Sequence, residues 1–200
     1  MKHKIQCQCG KLTGEIQGKG VSCRGVCYCA DCQTFAKFLG RPGEVLDAHG
    51  GTEVVQVAQP RVAFLQGQAH LAAVRLSPKG IVRWYAACCK TPIGNTLINP
   101  KVSFFGLIHT VLDRAKLDAD FGKSIARVNV HSATGSPKPK QKGLSGTVLR
   151  FLWIIGVTRI TGKYRQSPLF NASGDLIVKP TILTREEREH LKAAPWPPNP

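Results

Sequence analysis

The sequence predicts a mainly β body carrying cysteine-rich loops, followed by a short α-helical C-terminal extension. Three observations carry this expectation. Short apolar-alternating runs recur up to the region around residue 107, with Gly, Pro or Asn breaks between them. Eight cysteines stand at 7, 9, 23, 27, 29, 32, 88 and 89, and none follows. Beyond a Pro/Lys-rich stretch, residues 144–160 carry an approximate helical apolar stripe.

Residues 4–9 and 12–17 alternate loosely about a Cys-Gly pair and read as a hairpin. The thiol-rich stretch 23–32 reads as a loop, and 32–39, with Phe35 and Phe38, as one or two helical turns. Residues 52–58, 61–66 and 69–76 are strand candidates. Ser77-Pro78-Lys79-Gly80 is a turn, with Pro at its second position and Gly at its fourth. A strand over 81–87 then leads into Cys88-Cys89. After Gly94-Asn95-Thr96 the chain is apolar up to Leu107, but Pro100 argues against one continuous strand, and 104–117 reads as partly helical.

Residues 136–143 form a basic, proline-punctuated linker, which divides the chain into a body over 1–135 and an extension over 144–200. In the extension, Val148, Leu149, Leu152, Ile155 and Ile160 give helix 144–160 its stripe, which packs on the body or lies on a membrane surface. Thr184-Arg185-Glu186-Glu187 has the capping-box pattern and starts a short helix, and the tail Pro195-Trp196-Pro197-Pro198 reads as loose.

Two hundred residues, 42% hydrophobic and 20% charged, suit one domain with an appendage and exclude wholesale disorder. Charged residues interrupt every apolar run well short of the roughly 20 residues a membrane span needs, and the N-terminus shows no export signal. The expected location is cytoplasmic. Basic minus acidic residues give 28 − 12 = +16, a balance that favours acidic partners. From Phe121 to Gly174 there are nine basic residues and no acidic one.

In a reducing compartment, closely spaced thiols point to metal ligation or redox chemistry rather than disulfides. Thiolates bind zinc at about 2.3 Å, so tetrahedral ligands place their sulfurs roughly 3.8 Å apart. The Cys7-x-Cys9-Gly10 and Cys27-x-Cys29-x-x-Cys32 spacings meet that demand at turns and extended segments. Cys88 and Cys89, if in a strand, point to opposite faces, so one of them reaches a given metal. Cys23 has no close partner and reads as a small core hydrophobe. The six histidines show no metal-type pairing; His49 beside Asp47, and Asp31 within the cysteine loop, read as turn residues.

The order Cys-x-Cys-Gly, Cys-x-Cys-x-x-Cys, then Ser77, Gly80, Arg83-Trp84-Tyr85 and Cys89 resembles the glutathione-dependent formaldehyde-activating enzyme (GFA) family over about residues 5–110. The resemblance implies an Mss4-like fold of packed antiparallel sheets, with one or two zinc ions per chain. It implies a structural zinc on Cys7, Cys9 and Cys89, with Ala86 where a fourth thiolate belongs and Cys88 as a substitute beside it. It also implies a catalytic zinc on Cys27, Cys29 and Cys32, whose net charge Arg24 or Arg83 would offset. Tyr28 and Gln33 depart from the family's usual His and basic residue. The implied reaction is that of a carbon–sulfur lyase on an adduct between glutathione, or another small thiol, and an aldehyde. The alternative is a non-catalytic zinc-stabilised binding module whose basic tail contacts nucleic acid or an acidic surface.

Overall fold

Period-two apolar spacing places side chains alternately on two faces, and most segments with that spacing are strands. The protein is described here by a computed structural model covering residues 1–123, 125–194 and 196. Its strands are β1 (Lys2–Gln6), β2 (Thr13–Gln17), β3 (Cys23–Cys27), β4 (Thr52–Ala58), β5 (Val62–Gln66), β6 (Leu71–Arg75), β7 (Val82–Ala86), β8 (Thr91–Thr96), β9 (Phe104–Ile108), β10 (Ala126–Val128) and β11 (Thr181–Ile182). The helices are α1 (Ala30–Phe38), α2 (Pro42–Val45), α3 (Leu117–Phe121), α4 (Leu144–Ile160) and α5 (Arg185–Ala193), the last with the capping box its sequence predicts.

The strands make a three-stranded sheet, β1-β2-β5, and an eight-stranded one, β10-β3-β4-β9-β8-β7-β6-β11. Pairing is antiparallel except at the two edges of the large sheet, where β10 runs parallel to β3 and β11 parallel to β6. Those edge strands come from segments far along the chain, which can return in either direction.

Alternation buries both faces of the large sheet. Val55, Val57, Trp84, Phe105 and Leu107 face the small sheet and pack with Ile5, Leu12 and Ile16. Tyr85, Val74 and Ile108 face the other way and pack under Phe35 and Ala36 of α1 and Leu39 just beyond it. The indole N–H of buried Trp84 donates to Thr96 Oγ1 at 2.9 Å, so its one polar atom is satisfied.

Helix α4 lies across β3, β4, β9 and β10, with Ile154 and Thr158 buried and the Phe151 ring edge-on to Phe104 at 4.9 Å.

Two local expectations are corrected and a third is met in part. The stretch 23–32 is not one loop: Cys23–Cys27 is strand β3, hydrogen-bonded to β4 on one side and β10 on the other. The stretch 104–117 is partly helical as expected, but it opens as strand β9 before 3-10 turns at His109–Val111 and Arg114–Lys116 lead into α3. Trp196 is tied to the body by its indole N–H, 3.3 Å from the Asp47 carbonyl oxygen; Pro195 and residues 197–200 of that tail lie outside the described residues. Among the described residues no helix is long and apolar enough to cross a membrane.

Candidate metal centres

Strand β3 puts Cys23, Gly25 and Cys27 on one face, because side chains two apart share a side. The chain leaves β3 at Cys27 and enters α1 at Ala30, with Cys29 at the N-cap in an extended conformation. The Cys29 carbonyl accepts from the Cys32 and Gln33 N–H groups at 3.0 and 3.3 Å, closing the first turn. Residues three apart on a helix are neighbours, so Cys29 and Cys32 come together beside the end of β3. The sulfurs of Cys27, Cys29 and Cys32 all lie within 4.8 Å of one another and can hold a metal ion.

The trio opens on a cavity of about 260 Å³. Its walls are mostly apolar, from Val54, Ile81, Phe104 and Val128, and Gly25 and Gly106 keep its floor free of side chains. Cys23, buried as the small core residue its sequence suggests, also borders this cavity. Among the described residues the lining holds no histidine and no carboxylate.

Two partners of the trio carry most of the information. Arg83, in β7, is 2% exposed. Its guanidinium reaches Cys32 Sγ at 3.9 Å, donates to Asn95 Oδ1 at 3.3 Å and lies 5.4 Å from the Phe35 ring centre. No carboxylate pairs with it among the described residues. A buried cation without a counter-ion is costly, so the sulfurs are its charge partner. Arg24 does not play this part: Glu53 and Asp118 hold its guanidinium, each at 2.5 Å. The second partner is Asn129, just after β10 at φ 57°, whose amide donates to Cys27 Sγ at 3.2 Å.

Without a metal the trio shares its protons. Hydrogen bonds from Cys29 and then Cys32 hold the Cys27 thiol far below its ordinary value, against burial. The same bonds, seen from Cys32 and added to by burial, push that thiol well up; Cys29 is also raised, first by its bond to Cys27. One thiolate between two thiols is the expected metal-free state, and metal uptake would release the remaining protons.

A second cluster joins two turns. Cys7 and Cys9 lie in the bend that follows β1, where Gly10 at φ 78° closes back onto the Cys7 carbonyl at 2.9 Å. Cys88 and Cys89 lie in the turn between β7 and β8, closed by Lys90 N–H donating to the Ala86 carbonyl at 2.8 Å. The sulfur separations are 3.6 Å for Cys7–Cys9, 3.4 Å for Cys9–Cys88, 4.0 Å for Cys7–Cys88 and 3.8 Å for Cys88–Cys89. They bracket the roughly 3.8 Å of a tetrahedral thiolate site.

Both neighbours therefore reach one site. The opposite-face expectation fails because 88 and 89 occupy a turn, not a strand; Ala86 points into the inter-sheet core and Cys88 supplies the fourth sulfur. Burial opposes ionisation of Cys89, yet hydrogen bonds from Thr91 and the Cys9 backbone hold it at about 6. Burial, with bonds to Cys9, Cys89 and Cys7, pushes Cys88 up to about 12. The Leu12 N–H donates to Cys7 Sγ at 3.2 Å, the kind of outer bond that orients a ligand sulfur.

Other sequence candidates lie apart from both clusters. Asp47 accepts from the backbone N–H groups of His49 and Gly51, each at 2.8 Å, and makes a turn. Asp31 pairs with Arg188 of α5 at 3.2 Å. The Tyr28 hydroxyl donates to Asp47 at 3.2 Å, and Gln33 donates to the Tyr28 and Ser132 carbonyls, so both brace the loop outside the cavity lining. Asn95 and Asn129 were not legible from spacing: each acts through a partner distant in the chain.

No curated protein matches this sequence. Among solved structures, a Rhodobacter sphaeroides protein is similar with 16% identity and a TM-score of 0.40, over 61% of this chain and 97% of that one. A family model matches residues 2–179, which span both clusters, the cavity and α4. By that match the chain belongs to DUF6151, a family of unknown function.

Proposed function

We propose that the protein is a GFA-like zinc protein of Mss4-like fold, in which Cys27, Cys29 and Cys32 form the active centre and Cys7, Cys9, Cys88 and Cys89 hold a structural zinc. The proposed chemistry is that of a carbon–sulfur lyase, the reversible addition of glutathione or another small thiol to an aldehyde. Zinc suits both donor sets, since all-sulfur sites with tetrahedral spacing favour it over hard cations. Four sulfurs close one site, whereas three leave a position free toward the cavity.

The observation that carries this reading is Arg83 against the trio. Three thiolates and a dication sum to −1, and the buried guanidinium brings the site to zero. A zinc ion bound there would supply Lewis acidity to a substrate sulfur or carbonyl oxygen. Asn129 fixes the Cys27 sulfur, and the apolar walls exclude water around the reacting atoms. A cavity of about 260 Å³ is below the roughly 300 Å³ of ordinary ligand pockets, so it suits the thiol-bearing end of a substrate. With no carboxylate or imidazole in the lining among the described residues, the thiol proton leaves to solvent as the carbon–sulfur bond forms, and the carbonyl oxygen takes one up.

Metal analysis by mass spectrometry, together with exchange NMR on glutathione and formaldehyde, tests the proposal. Wild-type protein is expected to carry two zinc ions and to speed the exchange. Cys29→Ala is expected to carry one, keep its thermal transition and lose the acceleration. Two metals retained in Cys29→Ala would remove the trio as a site, and a fully loaded wild type without acceleration would remove the lyase reading.

A further inference from the structure

Helix α4 carries apolar side chains on opposite sides, but only one of those sides is packed. Ile154, Thr158 and Phe151 face the sheet. On the opposite side Leu149, Leu152, Trp153 and Ile160 are 68%, 57%, 61% and 88% exposed. At 100° per residue these four fall within an arc of about 100°. A helix on a water-facing surface normally turns charged side chains outward, and a contiguous apolar patch of this kind marks an interaction surface.

The surroundings of the patch indicate what covers it. The nine basic residues between Phe121 and Gly174 are all exposed, and no acid lies among them in sequence. Arg150 and Arg159 belong to α4 itself, Lys142 precedes it, and Lys163 and Arg165 follow in a tight turn. The ion pairs among the described residues all lie elsewhere. An apolar face with a tryptophan, framed by unpaired cations, complements a bilayer whose headgroups are anionic. A second copy is a poorer occupant, because a two-fold contact would press the same cations against each other.

We propose that α4 is a monotopic docking element that lays Leu149, Leu152, Trp153 and Ile160 into the surface of an anionic bilayer. Its cationic frame meets the headgroups. The helix lies along the surface and does not span, and docking is independent of whether either cysteine cluster carries a metal.

Flotation of the full chain with vesicles tests this, using phosphatidylcholine alone and phosphatidylcholine mixed with phosphatidylglycerol. Binding is expected only with the anionic lipid, with a blue shift in tryptophan emission, since Trp84 is already buried and Trp153 is not. Arg159→Gln and Lys163→Gln should each weaken partitioning about fivefold, from about 1 kcal/mol per surface cation. Joint replacement of Leu149, Leu152 and Trp153 by Gln should weaken it by about two orders of magnitude, with the thermal transition unchanged because those side chains are already exposed. Three results would overturn the proposal: no flotation with anionic vesicles, undiminished flotation of the triple variant, or a stable dimer in solution that the triple variant abolishes.

Discussion

Cys88→Ser is expected to cost about 4 kcal/mol of stability and one metal ion per chain, because it removes one of four converging sulfurs from the cluster. For a chain of this length that corresponds to a fall of about 8–16 °C in melting temperature. Calorimetry with and without a chelator checks it. The variant should melt at nearly the same temperature in both, whereas wild type should fall toward the variant once chelated. Cys23→Ser provides the contrast, since Cys23 belongs to neither cluster. An unchanged melting temperature in Cys88→Ser, with metal content intact, would mean that Cys7, Cys9 and Cys89 suffice.

The second large effect falls on Arg83. Two unit charges about 4 Å apart interact by about 4 kcal/mol at an effective dielectric of 20, and Arg83 stands 3.9 Å from Cys32 Sγ. Arg83→Leu removes the cation while keeping much of the apolar stem, leaving the trio and its metal with an unbalanced charge. Metal affinity at the trio should fall about a hundredfold in competition with a coloured chelator, while the four-sulfur cluster keeps its metal. Arg83→Lys should recover part of the loss, since charge is restored but the fork that also reaches Asn95 is not. Equal affinities in wild type and Arg83→Leu would show that the guanidinium is there for packing against Phe35 alone.

What the sequence shows of this fold follows from how local each signal is. Strands β4 to β7 carry β-branched or aromatic alternation with clear turn residues between them, and they form nearly where that pattern places them. Strand β3, Cys23-Arg24-Gly25-Val26-Cys27, has neither alternation nor bulk, and it is a strand because β4 and β10 hydrogen-bond to it on both sides. No local pattern announces β10 or β11, since each is three residues or fewer and owes its conformation to the edge it joins. The convergence of Cys27, Cys29 and Cys32 was readable from their one- and two-residue gaps alone, whatever conformation precedes them. That Cys88 and Cys89 both join one cluster was not, because it depends on a tight turn at 87–90 that places adjacent side chains on one side. Arg83 and Arg24 look alike in sequence; cross-strand pairing gives Asn95 to the first, and Glu53 and Asp118 claim the second. For α4, the apolar stripe left packing on the body and lying on a membrane surface both open; the helix packs through Ile154 and Thr158, while the residues of that stripe are largely exposed.

The cluster joining the bend after β1 to the β7–β8 turn spans 79 to 81 positions of chain. Filled by a cation, it works as a cross-link closing a loop of that length, which in the chain-entropy treatment restricts the denatured ensemble by about 4.5 kcal/mol. A disulfide could give a similar restraint but is undone by reductants. Thiolates bridged by zinc keep it under reducing conditions, and surrender it instead to acid or to a competing chelator.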